Sequence, residues 1–265
     1  MKRKLFVLAT VLLAALLAAT PVLAITFGEL DGNRHPNVGA LLVAWPYPDG
    51  PIDIVCSGTL ISPTVFLTAA HCVNWMPGAG IDPNGVYVSF DTEYVVGGSA
   101  IHRGTYYVNP NYGHDNSDLN DVAVVLLDEP ITDIVPAVLP TAGLLDELKA
   151  AGALKNQPFV AVGYGTVRND KTGGTHSFYW EGKRRFVTGT YNALTNGWLK
   201  ISMNPSTGDG GTCYGDSGGP HFLGETNMVV SVTVTGDIPC RATDVTYRLD
   251  IPSARAYLSQ FVPLP

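Results

Sequence analysis

The stretch GTCYGDSGGP, residues 211–220, surrounds a single serine with four glycines and a proline. Glycine adopts positive φ and lets other groups approach the backbone closely, but it costs conformational entropy on folding. An isolated Asp-Ser-Gly-Gly is most often a surface turn. The alternative is a backbone bent so that several amide N–H groups and the Ser217 hydroxyl face one point. The rest of the chain decides between these two interpretations.

The first 24 residues have the pattern of a secretory signal peptide. MKRK is basic, the run LFVLATVLLAALLAA is apolar, and TPVLA ends in small residues just before Ile25. Because the apolar run is short for a membrane span, a signal peptide cleaved after Ala24 is preferred to a membrane anchor. We therefore predict residues 1–24 as a signal peptide and a secreted, extracellular product that is free of the membrane once the signal is removed.

Charge and cysteine content narrow the classes of partner. Without the signal segment the chain has 13 basic and 23 acidic residues, a formal charge of −10. Such a surface argues against nucleic acid and anionic membranes as partners. Four cysteines at positions 56, 72, 213 and 240 suit two disulfides in an oxidising compartment, with three possible connectivities. A zinc site is the alternative, but no pair has CxxC spacing, so we predict no metal and no cofactor.

The chain after residue 24 has an all-β pattern. Short runs rich in Val, Thr and Tyr are separated by turn residues, as in GALLVAW, VFLTAA, DVAVVLLD, FVAVGYG and MVVSVTV. The irregular strand lengths favour barrels. Residues 141–152, TAGLLDELKAAG, predict a connecting helix, and SARAYLSQFV at 253–262 predicts a short C-terminal helix. We divide the chain into a first β domain, 25–140, and a second region, 141–265.

Three short stretches carry side chains suited to nucleophilic catalysis: LTAAHC at 67–72, DLNDVAVV at 118–125 and GDSGGP at 215–220. A serine hydroxyl is a weak nucleophile unless a base takes its proton, and histidine has a suitable pKa. A buried carboxylate then fixes the tautomer of the imidazole and stabilises its cationic form. Each stretch alone is ambiguous, but their combination in a secreted β protein favours catalysis.

These stretches resemble the motifs of the trypsin/chymotrypsin-like serine proteases, especially their bacterial secreted members. TAAHC is similar to the histidine motif, NDVAVV to the aspartate stretch and GDSGGP to the nucleophile motif, in this family's order His, Asp, Ser. AVGYGT, residues 161–166, resembles the family's Gly-aromatic-Gly strand. The resemblance covers nearly all of the chain after residue 24. It implies two antiparallel six-stranded β-barrels with the active site in the cleft between them.

Carried over by motif, the resemblance implies that Ser217 attacks a carbonyl carbon, that His71 acts as base and then acid, and that Asp121 orients His71. Backbone N–H groups of Gly215 and Ser217 would form the oxyanion hole. Asp118 is the competing carboxylate, but it precedes the strand by more residues. The remaining histidines are expected at the surface: His35, His102, His114, His176 and His221.

The resemblance also implies two disulfides and an activation step. Cys56–Cys72 would close the histidine loop, and Cys213–Cys240 would join two walls of the specificity pocket. The family's usual mature terminus, Ile-Val-Gly-Gly, is partly matched by Ile25-Thr26-Phe27-Gly28. We hypothesise that signal cleavage exposes the Ile25 ammonium group, which pairs with Asp216. The alternative is a plain terminus whose Ile25 packs in the core.

The specificity pocket departs from the trypsin-like pattern. Gly211 stands at the floor position, where trypsin-like members carry Asp, so preference for Arg or Lys loses its main electrostatic cause. The other expected pocket residues are Thr212, Ser231, Thr233 and Val245. The bulk of Thr233 and Val245 predicts a narrow slot for small or medium apolar side chains, although Asp209 nearby could restore a basic preference.

Together these features predict a secreted serine endopeptidase. We expect a monomer that acts on polypeptides and is open to protein protease inhibitors. One alternative is a non-catalytic binding protein on the same fold, since fold does not fix function. Another is an esterase-like hydrolase that uses the same triad on small esters, and turnover on peptides and esters would separate these readings.

Overall fold

The computed structural model describes residues 25–47, 50–168 and 178–265. The predicted signal peptide, 1–24, and His176 lie outside the described residues. No helix in the described part of the chain is long and apolar enough to cross a membrane.

The first half of the chain closes into a barrel after a short strand, β1 (Glu29–Leu30). Its strands are β2 (Val38–Ala44), β3 (Ile52–Ser62), β4 (Val65–Thr68), β5 (Val86–Ser89), β6 (His102–Val108) and β7 (Ala123–Leu127). All neighbouring pairs are antiparallel, in the order β2-β3-β4-β7-β6-β5 with β5 returning to β2. The barrel therefore has no free edge.

The second half forms another closed barrel. Its strands and the hairpin beside it are β8 (Pro158–Gly163), β9 (Val167–Arg168), β10 (Phe178–Tyr179), β11 (Arg185–Leu194), β12 (Trp198–Ser202), β13 (Pro220–Leu223), β14 (Val229–Gly236) and β15 (Thr243–Arg248). Six strands close in the order β8-β11-β12-β15-β14-β13, β9 pairs with β10, and β1 adds to β11. The predicted fold of two six-stranded antiparallel barrels is confirmed.

Helices in the described chain are few and short. They are α1 (Ala70–Val73), α2 (Leu144–Ala150) and α3 (Pro252–Leu258), with 3-10 turns at Met76–Ala79 and Ala153–Asn156. Helix α2 lies within the predicted connecting segment and begins after Gly143, whose φ of 72° stops an earlier start. Helix α3 is the expected C-terminal helix, and it ends at Leu258 rather than continuing to residue 262.

The interface between the barrels is a continuous apolar core. Strand β7 has an unbroken apolar sequence because both of its faces are buried. Val125 and Leu127 point into the first barrel, whereas Val124 packs with residues of the second barrel and of helix α3, among them Val162 and Tyr257. Each such side chain contributes about 1.5–3 kcal/mol on burial. This core holds the start of β7, two residues after Asp121, against the second barrel.

A buried cation adds polar contacts between the barrels. The guanidinium group of Arg184 donates to Asp31 Oδ2 at 2.9 Å and to the carbonyl oxygens of Val38 and Phe90, also at 2.9 Å. Arg184 and Asp31 are both fully buried. Arg184 precedes β11 of the second barrel, whereas its carbonyl acceptors belong to the first, so this residue links the two.

Candidate active site

His71 lies on helix α1, directly after strand β4 of the first barrel. Ala69 and Ala70 before it are fully buried, and their small side chains leave room for the turn from strand to helix. The backbone N–H of His71 donates to Asp121 Oδ1 at 2.8 Å, and Nδ1 lies 2.8 Å from Asp121 Oδ2. Because a carboxylate only accepts, Nδ1 carries the proton and Nε2 is left able to accept one.

Asp121 is fully buried, whereas 28% of the His71 side chain is exposed. It follows Asn120, whose φ of 57° is a left-handed conformation that asparagine tolerates better than most residues. Burial, together with the charge of Asp121, raises the pKa of Tyr112. The competing carboxylate, Asp118, instead accepts a hydrogen bond of 2.6 Å from the hydroxyl of Tyr247. Of the two carboxylates, Asp121 is thus the one hydrogen-bonded to His71.

Ser217 follows a tight turn from Cys213 to Asp216. The Asp216 N–H donates to the Cys213 carbonyl at 3.1 Å, and Gly215 has a φ of 96°. A Cβ atom on Gly215 would lie 2.5 Å from the ring of Trp180, so both conformation and space require glycine here. Asp216 closes the turn from behind, since its two oxygens accept from the N–H groups of Cys213 and Gly165 at 2.8 Å each.

The Ser217 turn packs directly on the first barrel beside His71. The Ser57 N–H donates to the Ser217 carbonyl at 2.9 Å, and the Ser57 hydroxyl donates to the Gly215 carbonyl at 3.0 Å. A Cβ atom on Gly218 would lie 2.1 Å from Thr68 Oγ1, so this close approach depends on glycine. Thr68 is three residues before His71. Within the described residues no hydrogen bond joins Ser217 Oγ to His71 Nε2, and in ligand-free sites such contacts are often long.

Two backbone N–H groups at this turn have no hydrogen-bond acceptor among the described residues. Those of Gly215 and Ser217 donate to no acceptor within the part of the chain that the structure describes. The neighbouring amide of Gly218 does have a partner, the Thr233 carbonyl at 2.8 Å. The first two donors lie on either side of Asp216, next to the Ser217 hydroxyl, where they could bind a developing oxyanion.

A cavity of about 310 Å³ opens beside Ser217. Its lining comprises Thr212, Cys213, Tyr214, Ser217, Thr233, Val234, Thr235, Gly236, Asp237, Ile238 and Cys240. Of the residues expected in the specificity pocket, Thr212 and Thr233 line this cavity, whereas Gly211, Ser231 and Val245 do not. Gly211 is backed by Met203, whose side chain lies 2.5 Å from where a Cβ on Gly211 would be.

The expectation for Val245 fails because of strand alternation. Asp244 and Thr246 on β15 are buried on one face, so the side chain of Val245 points to the other. Asp244 Oδ2 accepts from both the N–H and the hydroxyl of Thr212, at 3.2 and 2.8 Å. The carboxylate of Asp244 therefore lies directly behind the cavity wall. The sequence pattern did not identify Asp244, because the pairing register decides which face of a strand lies behind the cavity wall.

Two histidines expected at the surface are instead paired with buried carboxylates. His221 is 1% exposed, and its Nε2 lies 3.0 Å from Asp244 Oδ2. His35 is partly buried, and its Nδ1 lies 2.6 Å from Asp31 Oδ1. Both expectations were wrong, since each imidazole has a buried carboxylate partner that the sequence pattern did not reveal.

Asp209 lies away from the cavity. Its Oδ2 accepts from the hydroxyls of Thr190, Ser202 and Thr207 at 2.8–3.1 Å, and it is absent from the cavity lining. These three hydrogen bonds stabilise the Asp209 carboxylate in a position outside the cavity. The expected restoration of a basic preference by Asp209 therefore has no support in the structure.

Ile25 and Asp216, the expected activation pair, are both buried. Ile25 is 1% exposed and packs against Ala161 and Val187. The hydroxyl of the next residue, Thr26, donates to the Gly211 carbonyl at 2.8 Å, which connects this segment to the loop that leads to Ser217. Among the described residues Asp216 forms no ion pair, and its oxygens accept from the N–H groups of Gly165 and Cys213. The Ile25 nitrogen belongs to a peptide bond in the uncleaved chain, so pairing would require cleavage after Ala24.

Both pairs of cysteines form the disulfides that the resemblance implies. Cys56 is joined to Cys72 and Cys213 to Cys240. The only cluster of His, Cys, Asp or Glu with metal-ligand spacing among the described residues is Cys56, His71 and Cys72. Its two sulfurs are joined to each other, so the cluster does not offer thiolate ligands.

Comparison with known proteins gave four findings. The family model described as Trypsin matches residues 34–257. Brachyurin from Leptuca pugilator is 32% identical over 242 residues, which cover 84% of this chain and 93% of that protein. Vitamin K-dependent protein C from Rattus norvegicus is 29% identical over 194 residues, 65% of this chain and 38% of that protein. A solved structure, HL collagenase at 1.7 Å resolution, has a TM-score of 0.63 at 19% identity and covers 89% of this chain and 97% of its own.

The solved structure shows the fold alone at that level of identity. The two curated relatives come from a crab and a rat, so the expectation of a bacterial secreted type stays a prediction.

Proposed function

Since the chain belongs to the trypsin family and is a serine endopeptidase, we propose that it cleaves peptide bonds through the triad Ser217, His71 and Asp121. The observation that carries the proposal is the doubly hydrogen-bonded His71–Asp121 pair beside the Ser217 turn. Each of the three side chains then has one role in the reaction.

In the first step His71 Nε2 takes the proton of the Ser217 hydroxyl as the oxygen attacks the carbonyl carbon. The resulting imidazolium is stabilised by the buried carboxylate of Asp121, which stays ionised. His71 then gives its proton to the leaving amine, and an acyl-enzyme on Ser217 remains. A water molecule, deprotonated by His71, releases the acyl group and restores the serine.

The oxyanion of each tetrahedral intermediate would be bound by the N–H groups of Gly215 and Ser217. Neither group has an acceptor in the described part of the chain, which supports this role, since donors that are already in place need no reorganisation during reaction. Loss of one such donor typically costs about 3–4 kcal/mol of transition-state stabilisation.

Activation would follow cleavage after Ala24. The new ammonium group of Ile25 would pair with Asp216, a buried carboxylate that forms no ion pair among the described residues. An unpaired buried charge is costly, so the pair would hold the turn from Cys213 to Ser217 in place. The bond from Thr26 to Gly211 supports this route, because it already anchors the segment near the turn.

The cavity beside Ser217 would hold the side chain of the residue before the scissile bond. Its polar lining by Thr212 and Thr233, with Asp244 behind the wall, argues against the narrow apolar slot expected from Val245. We expect medium-sized side chains to be accepted, with basic ones favoured over acidic ones by the carboxylate of Asp244. A series of peptides with Leu, Lys or Glu at this position would measure the preference.

Secretion is part of the proposal. The signal-peptide pattern of residues 1–24 and two disulfides support an oxidising, extracellular setting. Polypeptides would be the substrates, protein protease inhibitors would be potential partners, and the enzyme would act as a monomer.

The test compares hydrolysis of a fluorogenic peptide and of a matched ester by the wild type, Ser217→Ala and Ser259→Ala. Ser259 lies on the surface after helix α3 and serves as the matched control. We expect Ser217→Ala to lower kcat by at least about 10⁴-fold and Ser259→Ala to leave it unchanged. Full activity of Ser217→Ala would contradict the proposal, and turnover of the ester alone would favour an esterase.

A further inference from the structure

A second groove, of about 480 Å³, adjoins the Ser217 turn through one of its lining residues, Trp180, whose ring packs against Gly215. Its lining comprises Trp45, Asp53, Ile54, Tyr94, Val96, Trp180, Glu181 and Gly182. The first cavity lies beside the Cys213–Cys240 disulfide, whereas this groove is bordered by strand β3 close to Cys56. The two depressions are lined by different residues.

Trp180 connects the groove to the reaction centre. Its ring lies so close to Gly215 that a Cβ there would be 2.5 Å away. Gly215 is the residue whose N–H would bind the oxyanion. A substrate whose side chain before the scissile bond fills the first cavity would therefore extend its leaving-group half past Trp180 into the groove.

Two hydrogen bonds of Tyr94 hold the walls of the groove, one to the second barrel's side and one within the first barrel. The Tyr94 N–H donates to the Gly182 carbonyl at 2.8 Å, and the Tyr94 hydroxyl donates to the Ile52 carbonyl at 2.6 Å. Trp180 is 44% exposed and Val96 59% exposed. The groove thus has fixed aromatic and apolar walls that remain open to a ligand.

One of the acidic residues in and around the groove is not part of an ion pair among the described residues. Glu181 pairs with Arg185, and Glu93 pairs with Lys183 at 3.8 Å. Asp53 has no ion-pair partner within the residues the structure describes. Burial, together with the charge of Asp53, raises the pKa of Tyr94, which is consistent with a carboxylate near that phenol. A negative charge between aromatic walls is complementary to an alkyl chain that ends in a cation.

We propose that Asp53 selects substrates with an arginine or lysine among the first two residues after the scissile bond. The alkyl chain would pack on Trp180, and the cation would face Asp53 and Tyr94. The proposal rests on the proposed function, because it describes the leaving-group half of the same substrate.

The experiment uses internally quenched peptides that share one sequence before the scissile bond. One set carries Arg, Leu or Glu at the first position after that bond, and a second set carries them at the second position. Values of kcat/KM are measured for the mature wild type, Asp53→Asn, Asp53→Lys and Asp128→Asn. Asp128 is an exposed carboxylate just after strand β7, and it controls for the general effect of removing one negative charge. None of these residues belongs to the proposed triad or oxyanion hole.

We expect the wild type and Asp128→Asn to prefer Arg over Leu by about three- to tenfold. Asp53→Asn should bring this ratio close to one while turnover of the Leu peptide stays within about twofold, and Asp53→Lys should favour Glu. An unchanged Arg-to-Leu ratio in Asp53→Asn, with the Leu peptide still cleaved, would overturn this inference alone. Failure of the wild type to cleave any peptide would overturn the proposed function and this inference with it.

Discussion

At the scale of single residues, the site depends on which nitrogen atoms of His71 are already hydrogen-bonded to Asp121. Asp121 accepts from both the backbone N–H and Nδ1, so it fixes the position of the helix start as well as the tautomer of the ring. An amide at this position could present its NH₂ group to Nδ1, which would then hold its proton on Nε2 instead. The base would lose the lone pair that has to receive the serine proton.

This argument predicts a large kinetic effect with little structural change in Asp121→Asn. We expect kcat on a peptide to fall by about 10⁴-fold, as is typical for this change in Ser-His-Asp triads. Thermal unfolding and circular dichroism would check that the fold is kept. Asp118→Asn is the matched control, since Asp118 bonds to Tyr247 and not to His71, and it should keep kcat within a few-fold. Equal losses in the two variants would contradict the assignment.

A second residue-scale effect concerns Asp216. Burial, aided by the charge of Asp244, raises its pKa to about 7, although the N–H groups of Cys213 and Gly165 oppose the rise. The ordinary value is 3.8, so the folded uncleaved chain binds this proton more tightly than the unfolded chain does. Its contribution to stability is therefore greatest below about pH 4 and is lost as the pH rises to about 7.

Pairing with the Ile25 ammonium should remove this pH dependence. We predict that a form beginning at Ile25 gains stability over a form that retains Ala24, and that the difference grows from pH 4 to pH 7. Urea unfolding of both forms across that range gives the difference directly, because their other titrating groups are the same. The form with Ala24 should also show at least a tenfold lower kcat/KM. Equal activity and a constant stability difference would count against the pair.

At the scale of elements, the sequence predicted where strands occur better than it predicted which side chains lie on each face of a strand. The short apolar runs and the turn residues between them predicted an all-β fold, and the irregular strand lengths favoured barrels. The motif order His, Asp, Ser indicated the site by resemblance. The position of Asp244 could not be read in the same way, since register depends on the partner strand and a shift of one residue moves every side chain to the other face.

The same limit explains the buried histidines. His221 lies on β13 and Asp244 on β15, two strands of one barrel that do not pair with each other, and the two residues are 23 apart in the chain. Sequence spacing alone does not bring them together. His71 could be identified because its motif is local, whereas the partners of His221 and His35 come from tertiary pairing.

The element-scale prediction concerns the disulfide beside the cavity. Cys213 and Cys240 both line the cavity, and their bond closes a span of 27 residues. Replacing both by Ala should lower the free energy of unfolding by about 3 kcal/mol and raise KM more than it lowers kcat. The matched variant is the double replacement of Cys56 and Cys72, whose bond closes a span of 16 residues and does not line the cavity. It should lower the free energy of unfolding by a similar amount. Because Cys72 adjoins His71, the Cys56–Cys72 variant should lower kcat more than it raises KM, and an equal rise of KM in the two double variants would contradict a role of Cys213–Cys240 in the pocket.

At the scale of the whole molecule, the site exists only while the two barrels are held together. His71 and Asp121 belong to the first barrel and Ser217 to the second, so the apolar core along β7 and the contacts of Arg184 set their distances. Burial raises the pKa of Asp31, but hydrogen bonds from His35 and the charge of Arg184 outweigh it, and the pKa is lowered. The stability that this carboxylate supplies is therefore present above about pH 4 and is lost as the pH falls further.

Removing one partner of this buried pair should be costly. We expect Arg184→Met to lower the free energy of unfolding by about 3–5 kcal/mol, because Asp31 is then buried without its cation. Adding Asp31→Asn should recover part of that loss, so the double variant costs less than the two single variants together. Arg34→Met is the control, since the Arg34–Glu29 pair is exposed and is worth about 1 kcal/mol at most. Similar losses for Arg184→Met and Arg34→Met would refute the linking role of Arg184.

The central claim is that Ser217 is an assembled nucleophile, and intact mass after treatment with a serine-directed fluorophosphonate tests it most directly. The mature wild type should begin at Ile25 and gain the mass of one probe, whereas Ser217→Ala should gain none. Labelling of Ser217→Ala, or an unlabelled wild type with the same terminus, would contradict the claim.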